Sequence, residues 1–406
     1  MKLDVDYVRA QFPAFAQESL KDQAFFENAG GSYTAGAVID RLSRYYRERK
    51  VQPYAPYAAS QAAGAEMDEA RAGLARWLGV DTDEVSFGPS TSQNTYVLAQ
   101  AFRSWLNPGD TIIVTNQDHE ANTGPWRRLA DDGITIREWR IDPETGRLDP
   151  DDLANLLDDS VRLVCFPHCS NVVGEINPVS EITALAHAAG AFTCVDGVSY
   201  ASHGLPNVAS LGADIYLFSS YKTYGPHQGI MVMRKGLGEL LPNQAHFFNG
   251  DVLYKRFTPA GPDHAQVAAC AGIVDYFEDL AAHHNISGPV AQKSEDIHHL
   301  LRDHETRLLQ PLLDALATKN SVRVLGPNKA AHRAPTVAIA TQSDPHLTAT
   351  QLAERGIMAG AGDFYAVRAL QGQGVSSEKG VLRVSFVHYT SKAEIDKLIL
   401  ALDELL

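Results

Sequence analysis

One lysine stands where the chain could carry out covalent chemistry. Lys222 lies in the polar turn 219–226, between the apolar segments Ile215–Phe218 and Gly229–Met233. Both segments are short and rich in β-forming residues, so they are predicted to be buried strands. Open α/β sheets bind ligands at the carboxyl ends of their strands, which is where Lys222 falls. Its amine is either a solvated surface ammonium or a nucleophile that forms a Schiff base with a carbonyl group.

Three further polar residues, each placed just after a short apolar segment, could reach the same edge of a sheet. They are His119 after the segment 111–115, Asn171 after 162–166 and Asp196 after 192–195. A single polar residue after a strand is usually a turn or cap residue. Four residues of complementary chemistry at one edge favour a binding site instead.

The elements that must position these residues alternate between strand and helix. Helical periodicity is present at 36–50, 65–78, 94–105, 181–189, 265–282 and 290–317, and further strands are predicted at 134–139, 337–340 and 382–386. Such alternation predicts an α/β fold with a mainly parallel central sheet and helices on both faces. The last two strands predict a smaller C-terminal α/β domain.

Small hydroxyl residues precede the helix predicted at 94–105. Thr91 and Ser92 either cap this helix or bind a phosphate group through its free N–H groups and dipole. With a phosphate site, the set fits pyridoxal phosphate, which needs a lysine amine, an acidic partner for its pyridine nitrogen and a flat contact on its ring. Lys222 would supply the amine and Asp196 the acid.

The remaining contacts to the cofactor are assigned to residues of matching chemistry. Ser219 would join the phosphate site, His119 would stack on the ring, and Asn171 would hydrogen-bond the phenolic oxygen. No cluster of residues predicts a metal site. Two histidine pairs, His283-His284 and His298-His299, invite that interpretation, but adjacent helical residues do not share a face, so we expect solvated histidines.

Six ordered motifs resemble those of the class V aminotransferases, in particular the cysteine desulfurase-like branch. They are Asn28-Ala29-Gly30-Gly31, Ser90-Thr91-Ser92-Gln93, Asp118-His119-Glu120-Ala121-Asn122, Ser170-Asn171-Val172-Val173-Gly174, Val195-Asp196-Gly197 and Ser219-Ser220-Tyr221-Lys222. The resemblance extends over nearly the whole chain, to the stretch that begins at Arg383.

The resemblance implies a fold-type I pyridoxal-phosphate enzyme and a role for each matched residue. Lys222 would be the Schiff-base lysine, with His119 and Asp196 also catalytic. Ser199 and Tyr221 would be further cofactor contacts. The substrate-binding residues would be Asn28, Ala29, Gly30 and Arg383, the last on the substrate carboxylate. A homodimer with its sites at the subunit boundary is also implied.

Several positions depart from the desulfurase pattern. Tyr221 stands where desulfurases usually carry a histidine, and Ser199 where a glutamine often touches the ring oxygen. No threonine stands near 261–263, where the dimer mate commonly supplies one to the phosphate. The loop that carries the desulfurase nucleophile corresponds to 359–365, and it contains no cysteine.

Length and composition bound the remaining possibilities. The 406 residues suggest two domains, which we place at 20–260 and 261–406, with residues 1–19 joining the smaller one. The net charge of −14 argues against nucleic acid and anionic membranes as partners. No signal peptide or membrane-spanning stretch is present in the sequence, and the four cysteines show no disulfide framework. A cytoplasmic location is therefore expected.

The leading prediction for function is a cysteine desulfurase-like C–S or C–Se lyase that acts on a small amino acid with pyridoxal phosphate. Under this hypothesis the Lys222 amine takes the proton from the substrate Cα. An aminotransferase or an amino-acid epimerase is the enzymic alternative, and a degenerate cofactor-binding scaffold is the alternative without catalysis. Retention of Lys222, Asp196 and Arg383 together argues against a scaffold.

Overall fold

The computed structural model describes residues 1–406, which form three sheets and sixteen α-helices. The strands are β1 (Ala24–Phe25), β2 (Val85–Gly88), β3 (Thr111–Thr115), β4 (Thr135–Trp139), β5 (Val161–Pro167), β6 (Phe192–Asp196), β7 (Ile215–Ser219), β8 (Gly229–Met233), β9 (Val322–Val324), β10 (Thr336–Thr341), β11 (Ile357–Met358), β12 (Gly360–Gly362) and β13 (Val381–Ser385).

The helices surround these sheets. They are α1 (Val5–Ala10), α2 (Gly36–Arg44), α3 (Ala58–Leu78), α4 (Thr91–Trp105), α5 (Gly124–Arg127), α6 (Pro150–Leu156), α7 (Val179–Ala188), α8 (Val208–Leu211), α9 (Lys235–Leu240), α10 (Leu253–Arg256), α11 (His264–Ala269), α12 (Ala271–His283), α13 (Val290–Ala317), α14 (Pro345–Glu354), α15 (Val367–Gly372) and α16 (Lys392–Leu405). Single turns of 3-10 helix also occur, including one at Ser220–Lys222.

The largest sheet has seven strands in the order β2-β8-β7-β6-β5-β3-β4. Only β8 runs against the others, since it pairs antiparallel with both β7 and β2. The predicted mainly parallel sheet with helices on both faces is therefore confirmed. The sequence pattern missed β2, because its four residues contain a serine and a glycine and lack a long apolar run.

Both faces of this sheet are buried, as parallel sheets require. Along β5, Val164 and Phe166 belong to one hydrophobic core, while Leu163 and Cys165 belong to another on the opposite face. Successive side chains of a strand point to opposite faces, so near-continuous apolar residues are needed to fill both cores. This burial fixes the strand ends, and with them the edge where polar residues follow β5, β6 and β7.

A smaller antiparallel sheet forms the C-terminal part, in the order β12-β13-β10-β9. One of its faces shares a third hydrophobic core with the second half of α13 and with α16. The predicted domain limits at 19/20 and 260/261 stay a prediction. Helices α11 and α12 belong to the core of the large sheet and pack on α2 and α3, which favours a later boundary within α13.

The N-terminal segment is a short helix followed by single helical turns. Helix α1 is capped by the Asp4 side chain, and Phe12 packs edge-on against aromatic rings of both parts of the chain, among them Tyr276 at 5.1 Å and Tyr389 at 4.9 Å. Arg9 forms an ion pair with Glu394 at 2.8 Å. Among the helices of this structure, none has the length and apolar character needed to cross a bilayer.

Candidate active site

A cavity opens at the carboxyl ends of β5, β6 and β7, with about 520 Å³ of space that is partly open to solvent. All nine residues predicted to contact the cofactor line it, namely Thr91, Ser92, His119, Asn171, Asp196, Ser199, Ser219, Tyr221 and Lys222. The predicted convergence of these residues on one sheet edge is thus present in the structure.

Lys222 ends the 3-10 turn that follows β7, and this turn aims it into the cavity. The Ser32 hydroxyl donates to the Lys222 carbonyl oxygen at 2.7 Å, and the Ser32 N–H donates to the Tyr221 carbonyl. Burial, assisted by the nearby Arg383 guanidinium, lowers the pKa of the Lys222 ammonium to about 8. A sizeable fraction of this amine is therefore neutral, and so nucleophilic, near physiological pH.

Asp196 is the last residue of β6, and its carboxylate accepts the Val198 N–H at 2.8 Å. Burial raises the pKa of Asp196 to about 6, against the lowering effect of that hydrogen bond and of Lys222. Asp118 lies on the same cavity wall, where burial, with the neighbouring Asp196 next, raises the pKa of its carboxyl. A cation placed between these acids would favour their ionised forms.

His119 begins the turn after β3 and is held in one tautomer. The Ala121 N–H donates to His119 Nδ1 at 3.0 Å, so the ring proton of the neutral imidazole resides on Nε2. Burial lowers the pKa of His119 to about 4, with the charges of Lys222 and Arg383 adding to the effect. The ring is therefore neutral at pH 7, which suits a flat contact on an aromatic cofactor.

The start of α4 forms one wall of the cavity together with the end of β7. Ser90 caps the helix by accepting the Gln93 N–H at 3.1 Å, and the Thr91 hydroxyl lies 2.8 Å from the Ser219 hydroxyl. A methyl group on Gly229 would stand 2.5 Å from the Thr91 nitrogen. Glycine at the start of β8 is therefore what lets the helix approach the sheet so closely. The resulting pair of hydroxyls at a helix N-terminus fits a phosphate group.

Asn171 and Tyr221 are held by their neighbours. Asn171 Nδ2 donates to the Phe364 carbonyl oxygen at 2.9 Å, which leaves Asn171 Oδ1 buried without a partner. The Tyr221 ring stacks on His227, with centroids 4.7 Å apart and planes within 7°. His227 was not anticipated from the sequence, because it comes from the other side of the turn, five residues beyond Lys222.

The predicted substrate residues lie beside the cavity. Asn28 and Ala29 line a second, smaller pocket that also touches Lys222. Asn28 Oδ1 accepts from the Tyr389 hydroxyl, and the Ala29 N–H donates to the Ser385 hydroxyl at 2.9 Å. A methyl group on Gly30 would lie 2.7 Å from a carboxylate oxygen of Glu27. The loop is thus packed tightly around Glu27, a residue to which the sequence assigned no role.

Arg383 lies at the same corner, where its guanidinium already has partners within the protein, and its role on a substrate carboxylate stays a prediction. Its guanidinium donates to the Glu27 carboxylate and, at 3.3 Å, to the Asn171 carbonyl oxygen, while the Phe364 ring covers it at 3.7 Å. Only 3% of Arg383 is exposed. The one signal for Glu27 in the sequence is a charged residue between the apolar Phe26 and the turn at Asn28.

The cysteines offer no reactive thiol near the cavity. All four are buried, and Cys169, the one that lines the cavity, bonds through Sγ to the Gly174 carbonyl oxygen at 3.4 Å. Burial raises the pKa of Cys169 to about 12, so the thiol stays protonated. In the loop 359–365, Phe364 covers Arg383, and the exposed Tyr365 has its ring 5.4 Å from that of His119.

The expectation that both histidine pairs are solvated is wrong for two of the four residues. His284 is buried, and its Nε2 accepts the Asp4 N–H at 3.0 Å, because the N-terminal segment packs over it. His298 Nδ1 bonds to the His203 carbonyl oxygen at 2.9 Å, and burial lowers the pKa of His298 to about 4. Periodicity could not show these contacts, since they come from segments far away in the sequence.

Comparison with known proteins agrees with this geometry. The sequence model of the class-V aminotransferases matches residues 24–250 and 294–398. The chain belongs to the class V aminotransferase family. Members of this family are pyridoxal-phosphate-dependent enzymes, and the predicted family resemblance and enzyme class are confirmed.

Relatives of this class V family member match it along nearly their full length. It is 35% identical to the aminotransferase-like protein FGM3 of Gibberella zeae, over 99% of this chain and 98% of that protein. It is 29% identical to a cysteine desulfurase of Serratia proteamaculans, over 100% of this chain and 99% of the relative.

Solved structures of cysteine desulfurases share the fold. The apo enzyme of Thermococcus onnurineus NA1 superposes with a TM-score of 0.86 at 24% identity, covering 100% of this chain and 98% of that one. The Escherichia coli cysteine desulfurase CsdA gives a TM-score of 0.81 at 26% identity, with 100% of both chains covered. The predicted fold-type I architecture is thereby confirmed.

Proposed function

We propose that this class V enzyme binds pyridoxal phosphate in the β5–β7 cavity and acts on a small amino acid as a C–S or C–Se lyase without forming a persulfide. The observation that carries the proposal is the combination of a half-buried lysine of lowered pKa with Asp196 in one cavity, next to a loop without a cysteine.

The residues of the cavity fit this cofactor. Thr91, Ser92 and Ser219 would hold the phosphate at the start of α4, and Asp196 would face the pyridine nitrogen. Neutral His119 would lie on the ring, with Asn171, Ser199 and Tyr221 at its borders. Burial raises the pKa of Asp196 because its negative charge is removed from water. A protonated pyridine nitrogen beside it would offset that charge. When bound, pyridoxal phosphate supplies a carbonyl carbon and a ring that withdraws electrons from the substrate Cα.

Lys222 would move the proton in this reaction. Its amine is anchored by the turn after β7, and its pKa of about 8 lies close to the operating pH that favours a general base. The amine would accept the proton from the substrate Cα and could return it to the leaving sulfur or to carbon. Asp196 would keep its position through the Val198 N–H, and Arg383 would bind the substrate carboxylate.

Because the loop 359–365 has no thiol, we expect the substrate sulfur to leave by elimination and not to be transferred to the enzyme as a persulfide. Persulfide formation needs a thiolate that attacks the substrate sulfur, whereas elimination needs only that the Cβ–S bond breaks and a proton reaches the departing sulfide. The loop 359–365 offers a carboxylate and two aromatic rings, none of which accepts sulfane sulfur. Cys169 is buried and protonated.

Transamination is the second candidate, and the relative FGM3 supports it because that protein is described as aminotransferase-like. Transamination and epimerisation need the same lysine and cofactor but no leaving group at Cβ. The residues of the cavity that serve the lyase would therefore serve these two reactions as well. A degenerate scaffold is the remaining alternative, and the retained Lys222, Asp196 and Arg383 argue against it.

A homodimer in the cytoplasm is the proposed form of the enzyme. Two-fold dimers are the commonest oligomers, and the family resemblance implies a site near the subunit boundary. Light scattering combined with activity at the same concentration tests this form. A monomer with full activity would contradict it.

Turnover with a panel of amino acids tests the reaction. The enzyme, loaded with pyridoxal phosphate, is incubated with cysteine, selenocysteine, alanine and serine, with and without a 2-oxo acid, and released sulfide, selenide, 2-oxo acids and D-amino acids are measured. Sulfide or selenide release with pyruvate identifies a lyase, and amino-group transfer to the 2-oxo acid identifies an aminotransferase. No product from any substrate, with the cofactor bound, would support the scaffold instead.

A further inference from the structure

Three buried polar atoms around Arg383 have no hydrogen-bond partner. They are Arg383 Nε, Glu27 Oε2 and Asn171 Oδ1. We call the group formed by Glu27, Asn171, Gly360, Phe364 and Arg383 the arginine corner. Buried polar atoms without partners are costly and uncommon in folded proteins, so three of them in one small group call for a physical explanation.

The Glu27 carboxylate has a space prepared for it. A methyl group on Gly30 would lie 2.7 Å from Glu27 Oε1, and one on Gly360 would lie 2.3 Å from Glu27 Oε2. Any side chain at either glycine would therefore displace the carboxylate. The acid is thus seated between two glycines and the Arg383 guanidinium, and it is not a surface side chain that happens to fold over an arginine.

The charges of Glu27 and Arg383 indicate which chemical groups of a substrate would fit the arginine corner. The Glu27 carboxylate already neutralises Arg383, and a substrate carboxylate that reached Arg383 would place two anions on one guanidinium. The single positive charge of the guanidinium balances only one of them, so a further cation or hydrogen-bond donor nearby would favour the pair of anions. The substrate α-amine is required near Lys222 and the cofactor, so a substrate side chain that carries a positive charge or a hydrogen-bond donor would supply this partner.

The unpartnered atoms have the matching hydrogen-bonding character. Arg383 Nε is a donor and can receive a substrate carboxylate, while Glu27 Oε2 and Asn171 Oδ1 are acceptors. A side chain that ends in an amine would donate to those acceptors. The Glu27 charge also acts on the Lys222 ammonium, which places the corner beside the reacting lysine.

We propose that Glu27 is a specificity-determining residue, which together with Asn171 selects amino acids whose side chain ends in a cationic or hydrogen-bond-donating group, and discriminates against apolar ones. This inference rests on the proposed function and adds the substrate class to it. Glu27 binds the substrate side chain and takes no part in proton transfer.

Two ligands of nearly equal shape test the proposal. Norvaline ends in a methyl group where 2,4-diaminobutyrate carries an ammonium. Their dissociation constants are measured on the pyridoxal-phosphate-loaded enzyme by the change of its visible absorption and, independently, by calorimetry. Because a charge-assisted hydrogen bond favours binding by at least about tenfold, the wild type is expected to bind diaminobutyrate about tenfold more tightly than norvaline.

Glu27→Gln has the same shape without the charge, and it is expected to reduce this preference to about twofold or less while norvaline binds more tightly than before. Gly360→Ala, which would push the carboxylate aside, should reduce the preference likewise. Glu120→Gln is the matched control, since Glu120 is an exposed acid beside His119 that pairs with Arg368, and the preference should persist there.

Two results would overturn the inference. One is equal affinity of the wild type for both ligands, and the other is a preference that Glu27→Gln leaves unchanged. Either could occur while the enzyme still turns over amino acids, so the proposed function would survive. If no amino acid produced a spectral change or heat in the loaded enzyme, the proposed function would fail, and the inference with it.

Discussion

The cavity that would hold the cofactor and the arginine corner beside it are built in different ways. Cavity residues such as Asp196 and Lys222 lie at or just after the ends of parallel strands, so the topology of the sheet brings them together. The arginine corner joins Glu27, Phe364 and Arg383 across the pairing of short segments, since a backbone bridge places Glu27 beside Ser385 and β12 pairs with β13, and the Glu27 carboxylate and the Phe364 ring then reach Arg383 as side chains. Substitutions at the corner can therefore change the substrate without disturbing the fold or the cofactor chemistry.

Removing the lysine should have the largest effect on the cavity. Lys222→Ala removes the amine that would bind the cofactor covalently and move the Cα proton, so we expect turnover to fall by about a thousandfold or more. The wild type should show a visible band that borohydride treatment abolishes while adding the cofactor mass to the chain. The variant should lack both the band and the added mass.

Lys235→Ala is the control for this prediction. Lys235 is the first residue of α9 and an exposed lysine whose ammonium pairs with Glu239 at 3.9 Å. Its removal should leave the band, the trapped mass and turnover unchanged. A Lys222→Ala variant that kept the visible band and the trapped mass would contradict the assignment of the cavity.

The second prediction concerns the acid of the same cavity. Asp196→Asn removes the charge that would hold the pyridine nitrogen protonated, so turnover should fall by about a hundredfold and the cofactor should be lost more readily on dialysis. Serial dialysis followed by absorbance measures the retention. Unchanged turnover would show that Asp196 does not face the ring nitrogen.

Asp196 also predicts the pH dependence of apoprotein stability. The folded protein holds the Asp196 proton up to a pKa of about 6, whereas the unfolded chain releases it near 3.8. The folded state thus binds more protons between these values, and the free energy of unfolding should fall as pH rises from about 4 to 6. Asp196→Asn should reduce this fall, to which the buried Asp118 also contributes, and stabilise the apoprotein at pH 7 by on the order of 2 kcal/mol. Urea unfolding at pH 4 and pH 7 measures both effects.

The third prediction tests the loop that separates this chain from desulfurases. Tyr365 is exposed and its ring lies close to His119, so Tyr365→Cys would place a thiol at the mouth of the cavity. Incubation with cysteine should then give a persulfide on the new residue, visible in the intact mass, whereas the wild type and Cys169→Ser should form none. Rapid persulfide labelling of the wild type, lost in Cys169→Ser, would reverse our assignment of that thiol.

The contrast between cavity and corner also explains what the sequence could predict. Strands β3, β6, β7 and β8 were anticipated within a residue because each is apolar on both faces, and the polar residue after each strand end could then be read off directly. By contrast, β2 and the two-residue strands β1 and β11 are too short to show a period. They form through pairing with distant segments.

At the site, the residue types indicated which groups could bind a cofactor, but they did not show which side chains contact each other. Seven of the nine predicted cofactor residues could be chosen because pyridoxal phosphate demands particular groups, whereas Ser199 and Tyr221 came only from the family resemblance. The partner of Arg383 could not, since nothing in the sequence places Glu27 next to a residue 356 positions later. The covering Phe364 ring was likewise invisible, because its left-handed backbone angle of +53° depends on the fold of its loop.

The smallest expected effect belongs to that ring. Phe364 lies over the Arg383 guanidinium at 3.7 Å, and a cation–π contact of this kind stabilises a protein by about 1 kcal/mol. Phe364→Leu keeps an apolar side chain there but removes the aromatic face, so the melting temperature should fall by only about 2 °C. Binding of 2,4-diaminobutyrate should weaken by a few fold, since the guanidinium is held less firmly, while the visible band should stay as in the wild type.

Because Tyr365 is exposed, Tyr365→Leu is the matched control and should not alter the melting temperature. Loss of the cofactor band in Phe364→Leu would show that the corner and the cavity are not independent, and the separation of chemistry from substrate choice would fail.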